Sequence, residues 1–201
     1  MSKGASASWE QMWKAGLPPK SAFDVGAPSQ TLVELLASRS LAPRPGMRAL
    51  VPGCGRAYDA IALAEHGFSS VLAIDLAPTA VDAAKSFLAE CGSPAAERIE
   101  VRCANFFELE MEPKVDLIWD CTFLCALDPA VRTEWSKKMS NLLTPDGLLV
   151  TCIFPICEKV GGPPYALSAP LVRSLLDEGF EAQEVREDVA LHSPGGSVTK
   201  S

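Results

Sequence analysis

Short apolar runs alternate along the chain with longer stretches whose apolar residues recur every three or four positions. RALVP (48–52), VLAID (71–75), VDLIWD (115–120) and LLVTCIF (148–154) hold scarcely a polar residue between their ends. Runs of that length and composition predict strands buried on both faces. RIEVRC (98–103) predicts another strand, and the alternating FEAQEVRE (180–187) a sixth. The stretches between them read as helices. One follows Ser29 and runs to about Ser38, and a second covers 58–66. A third opens on Pro78, a favoured first helical position, and closes near Cys91 before Gly92. A fourth runs from Pro129 to about Leu143, ahead of Thr-Pro-Asp-Gly, and a fifth from Ser168 and Pro170 to about Glu178. Strands apolar on both faces and alternating with helices predict an α/β fold, a doubly wound, mostly parallel sheet with helices on both sides.

The first 26 residues break this pattern. They are polar, with Trp9, Trp13 and Phe23 set among Gly, Pro and Ser, and read as an arm rather than a core element. On a helix, Trp9 and Trp13 would share one face. With 201 residues the chain reads as a single domain, long enough to bury a core without disulfide or metal staples.

Composition narrows the function classes. Twenty-five acidic residues against 18 basic ones leave a formal net charge of -7, with no basic run, which argues against a nucleic-acid partner. Seven cysteines, an odd number with no C-x-x-C pair, and only two histidines argue against a disulfide framework and a metal site. Free thiols fit a reducing compartment, so a cytoplasmic location is expected. MSKGASASWE has no apolar core of a signal peptide, and no run approaches the ~20 apolar residues of a membrane helix. No membrane partner is expected.

In a doubly wound sheet, ligands bind beyond the carboxyl ends of the strands. The first strand ends in Val-Pro-Gly-Cys-Gly, with Gly53, Cys54 and Gly55 able to bring backbone close to a ligand. The second ends in Asp75, which Leu76 follows, twenty residues after Gly55 and placed to accept hydrogen bonds from a ribose diol. A plain strand-to-helix turn with a capping acid is the competing reading. Arg56, Ala57 and Tyr58 follow Gly55, so the third glycine of a dinucleotide loop is absent. That suits S-adenosylmethionine, which carries an adenosine and a sulfonium but no phosphate, better than a nicotinamide cofactor. Asn105 and Phe106 follow the third strand, where an amide could bond the adenine edge and a ring could pack on it; core packing is the alternative for Phe106 and Phe107. Asp120 and Cys121 end the fourth strand beside the place for a reacting methyl group. The aromatic pair of the arm can attract a sulfonium, or simply staple the arm to the domain. Cys121 and Cys125 lack an activating base nearby and read as packed thiols. Arg132 and Lys159 read as solvated surface charges.

These residues carry a resemblance. W-E-x-x-W near the start, F-D-V-G-A-P-S (23–29), V-P-G-C-G (51–55), A-I-D-L (73–76), N-F-F (105–107), W-D-C-T-F-L-C-A-L-D-P (119–129) and I-F-P-I-x-x-x-V-G-G-P-P-Y (153–165) resemble the thiopurine S-methyltransferase superfamily, most of all its halide and thiol (thiocyanate) methyltransferase branch. The resemblance covers about residues 9–187. It implies the Rossmann-like class I methyltransferase fold, with residues 1–27 as an arm covering the cofactor site, 28–187 as the core and 188–201 as a short tail. It implies S-adenosyl-L-methionine as cofactor, contacted by Trp9, Trp13, Phe23, Gly53, Cys54, Gly55, Asp75, Leu76, Asn105, Phe106 and Cys121. Cys121, Phe154 and Tyr165 become candidates for the acceptor pocket, with no catalytic residue and no metal assigned. The chain departs from the family pattern at Phe23 (usually Trp), Asn105 (usually Asp), Cys121 (usually Tyr in the halide and thiol branch) and Glu158-Lys159 (usually Asp-His).

The implied reaction is methyl transfer to a small soft nucleophile: a halide, thiocyanate, bisulfide or small thiol. Such an anion needs no general base, which fits a histidine-poor chain. A thiopurine-type aromatic thiol acceptor and a cofactor-binding homologue without turnover are the alternatives. A monomer is expected. Fourteen residues follow Glu187, so the seventh strand of the family's sheet is either a stub at 197–201 or missing.

Overall fold

The computed structural model describes residues 3–187. In chain order the elements are α1 (Lys3–Lys14), α2 (Gln30–Ala37), β1 (Arg48–Pro52), α3 (Tyr58–Glu65), β2 (Ser70–Asp75), α4 (Pro78–Glu90), β3 (Ile99–Cys103), β4 (Val115–Asp120), α5 (Arg132–Leu142), β5 (Leu143–Thr151) and α6 (Ala169–Leu176). The strands form one sheet in the order β3-β2-β1-β4-β5, and every pairing is parallel.

The central strands are apolar throughout because both faces are covered. Ala49 and Val51 of β1, Val71 and Ala73 of β2, and Leu117 and Trp119 of β4 face a core shared with α2, α3 and α4. Leu50, Leu72, Ile74 and Ile118, in the alternate positions, face Trp135, Met139 and Val172 on α5 and α6. Period-2 alternation is therefore present in the packing although hidden in the sequence. α4 begins with Pro78 in its first turn and stops at Cys91, after which Gly92 takes the left-handed conformation (φ 69°).

Four expectations change. The arm contains a helix, α1, with Trp9 and Trp13 on it, and Trp13 is buried. The fourth helix begins at Arg132, and Pro129–Val131 form a 3-10 turn capped by the Asp128 carboxylate. β5 begins at Leu143 and ends at Thr151, the Thr-Pro-Asp-Gly segment bulging out between the pairings of Leu143 and Leu148 with β4. Residues 180–187 form no strand. There the alternation slips: Phe180 and Ala182 share one face, but Val185 falls on the other and is half exposed, so no continuous apolar face exists to bury. The sheet thus has five strands among the described residues instead of six. The expected stub at 197–201 lies outside them. None of the described helices is long and apolar enough to cross a membrane.

Candidate active site

The strand order reverses between β1 and β4: β2 and β3 lie on one side, and β4 and β5 run out on the other. A cavity of about 510 Å³ opens there, at the carboxyl ends of the strands. Gly53 and Gly55 carry φ of 61° and 51°, the left-handed region. A Cβ on Gly53 would lie 2.7 Å from the ring of Phe123, so the turn also depends on a missing side chain. Cys54 N–H donates to the carbonyl of Ile74 (2.9 Å), tying the loop to the end of β2.

Asp75 stands at the centre of this wall. Gly55 N–H donates to its Oδ2 and Ala77 N–H to its Oδ1, both at 3.0 Å. Burial pushes its pKa above the ordinary carboxylate value, against these backbone bonds. Each oxygen keeps further acceptor capacity. Trp9, Trp13 and Phe23 of the arm line the cavity, as do Gly53, Cys54, Gly55, Asp75, Leu76, Phe106, Cys121 and Phe154. Phe23 meets Trp9 and Trp13 edge-on, with centroids 5.6 and 6.1 Å apart. Phe106 is buried in the core and also lines the cavity, so packing and site are not alternatives for it.

Two candidates lie elsewhere. Asn105 is not in the cavity wall: its Oδ1 accepts from Phe107 N–H and its Nδ2 donates to Glu108, so it caps the turn after β3. Tyr165 sits outside the wall, with its ring facing the Arg132 guanidinium at 6.0 Å. Arg132 is buried, not a solvated surface charge; its Nε and Nη2 have no hydrogen-bond partner, and desolvation lowers its pKa. Asp120 is fully buried behind the wall, accepting from Leu124 N–H and Trp135 Nε1. Lys159 is exposed and donates to the carbonyl of Pro164.

Sequence reasoning passed over Arg56, Asp24 and Asp59, which also line the cavity. Asp59 accepts from Ser29 N–H (2.6 Å) and Trp119 Nε1 (2.7 Å), pinning the end of the arm to the sheet. Asp24 lay in plain view inside F-D-V-G-A-P-S, but its partner is 32 residues away. The thiols of the wall stay protonated where a shift is resolved: burial, helped by Asp75, raises Cys54, and burial, then Asp120, pushes Cys125 up to about 12. Among the described residues, no cluster of ligating side chains suits a metal.

The family model for thiopurine S-methyltransferase matches residues 4–199. The chain belongs to the thiopurine S-methyltransferase family. The methyltransferase is 37% identical over 201 residues to a probable thiol methyltransferase 2 of Arabidopsis thaliana, covering 100% of this chain and 85% of that one. It is 35% identical over 181 residues to thiocyanate methyltransferase 1 of Brassica oleracea, covering 90% and 76%. In fold it is similar to magnesium protoporphyrin IX methyltransferase of Synechocystis, at a TM-score of 0.62 and 18% identity, covering 75% and 67%. A structure on the conversion of a disulfide bond into a thioacetal group during echinomycin biosynthesis reaches a TM-score of 0.69 at 19% identity, covering 89% and 80%.

The sheet is that of the class I methyltransferases, and the enzyme depends on S-adenosylmethionine. The wall fits that cofactor: a backbone loop that a single Cβ would obstruct, a carboxylate at the end of β2, and aromatic rings above.

Proposed function

We propose that the enzyme moves the methyl group of S-adenosylmethionine to a small soft nucleophile, a thiol, bisulfide, thiocyanate or halide, giving a methyl thioether or methyl halide. Asp75 would hold the ribose diol, Gly53–Gly55 the neighbouring backbone edge, and Phe106 with Leu76 the adenine. Trp9, Trp13 and Phe23 would close over the sulfonium side. The cofactor supplies an activated methyl group on a positively charged sulfur.

The observation that carries this reading is the wall after β4 and β5. Cys121, Thr122, Phe123, Cys125, Phe154 and Pro163 supply thiols, one hydroxyl and hydrocarbon, with no carboxylate and no imidazole. That part of the wall offers no base to take a proton from an acceptor, which favours an acceptor that arrives as an anion. The apolar wall would strip water from it, and the cavity would orient it for in-line attack on the methyl carbon, a step that needs a separation of ~3–3.5 Å. The thiol and thiocyanate methyltransferase relatives support the same acceptor chemistry.

The test is methyl transfer from labelled cofactor to bisulfide, thiocyanate, iodide and an aromatic thiol. Methylated product is expected with the small anions. Turnover with bisulfide should rise with pH as the acceptor ionises, while turnover with thiocyanate and iodide should show no such rise. Turnover of the aromatic thiol alone would assign the thiopurine-type reaction, and no product from any acceptor would overturn the reading.

A further inference from the structure

Arg56 directs its polar contacts at the arm. Its Nε donates to Asp24 Oδ2 (2.8 Å), its Nη2 donates to the carbonyl of Leu17 (2.6 Å), and its guanidinium lies over the Trp13 ring at 5.4 Å. Asp24 is itself buried, and its other oxygen accepts from the backbone N–H of Lys20 and Gly26, so the pair organises the turn carrying Phe23. A second attachment lies on α1. The Glu10 carboxylate accepts from Thr79 N–H (3.1 Å) and Thr79 Oγ1 (2.7 Å). Ala77 caps α4 without a side-chain bond, so Glu10 supplies the missing cap from 69 residues away.

We propose that Arg56 and Glu10 are positioning residues for cofactor capture, latching the arm so that Trp9, Trp13 and Phe23 roof the cavity. The two latches grip the segments that Asp75 binds together: Arg56 follows Gly55, and Thr79 lies two residues beyond Ala77, the two residues whose N–H groups donate to Asp75. A cofactor held by Asp75 steadies both anchor points, and by linkage the latched arm tightens the cofactor by the same factor. The inference rests on the assignment of Asp75 and the arm aromatics to the cofactor, and not on the identity of the acceptor. Glu10 does not line the cavity, but its charge helps push the Asp75 pKa up; Glu10→Gln removes that charge as Glu10→Ala does and keeps the bond to Thr79, so the difference between the two variants reads the arm contact alone.

The experiment uses the full chain without acceptor. Tryptic cleavage after Lys14 and Lys20 is followed with and without S-adenosylmethionine, and the cofactor Kd is read by calorimetry. In the wild type the cofactor should slow cleavage of the arm. In Glu10→Ala and Arg56→Ala the free arm should be cut faster, the protection should shrink, and Kd should rise about tenfold, equivalent to 1.4 kcal/mol. Glu10→Gln retains an acceptor for Thr79 and should recover part of the loss. KM for the cofactor should rise more than kcat falls. Wild-type Kd in Glu10→Ala, or arm cleavage that ignores the cofactor, would overturn the proposal. Lack of methyl transfer to every acceptor, with these binding results intact, would overturn only the acceptor reading.

Discussion

Two carboxylates, at the carboxyl ends of β2 and β4 on either side of β1, do different work. Asp75 faces the cavity with both oxygens partly engaged by backbone. Asp75→Ala removes a charged acceptor and should weaken cofactor binding by about 1–3 kcal/mol; unchanged affinity by calorimetry would sink its assignment to the ribose. Asp120 faces away, toward Trp135, and burial raises its pKa to about 6. The folded chain therefore holds this proton more tightly than the unfolded chain. The stability it contributes is full below about pH 4 and declines as pH rises toward 6, by about 3 kcal/mol. Asp120→Asn, measured by urea denaturation from pH 4 to 7, should lose that component of the slope. Gly53 is the third decisive residue. Gly53→Ala places a Cβ 2.7 Å from Phe123 at a φ of 61°. It should cost about 1–2 kcal/mol in backbone strain and weaken cofactor binding as the ring moves into the cavity.

At the scale of elements, the molecule is held by bonds that cross from one unit to another. Asp59 in the first turn of α3 joins the end of the arm to β4 through Ser29 and Trp119. Trp119→Phe removes the donor to the Asp59 carboxylate and leaves a cavity where the fully buried indole stood, so stability measured by unfolding in urea should fall by at least about 1–3 kcal/mol. Most of the elements were legible in the chain, since strand and helix periods and the residues Pro78 and Gly92 act locally. The exceptions have local causes too. In residues 180–187 the alternation slips before Val185, and beyond Leu143 the bulge of Thr-Pro-Asp-Gly interrupts β5, so that its continuous apolar run starts only at Leu148. Arg132 was misread because its surroundings, Tyr165 and Cys125, come from a later loop and from the segment after β4.

The whole molecule carries a formal net charge of -7, yet the proposed acceptors are anions. An anion approaching it at low salt meets a repulsive field. kcat/KM for thiocyanate should therefore rise between about 0.01 and 0.15 M ionic strength, as the screening length falls from ~30 to ~8 Å. A fall would mean that the cavity mouth presents a positive field of its own. No charged group in the acceptor part of the wall opposes this expectation.

The amino-acid sequence alone determined the succession of strands and helices along the chain from α2 to α6, the position of the glycine loop and the acid at the end of β2, and the family motifs. All of these are written in residues within a few positions of one another. Tertiary structure decided which side chains face the cavity. Asn105 turns to cap its own loop, Asp120 turns into the core, and Arg56 and Asp24 join it from 32 residues apart. The roof depends on Glu10 reaching Thr79, and the floor on Gly53 leaving room for Phe123. Such contacts follow from how the sheet brings distant segments to one edge, and no local pattern in the chain encodes them.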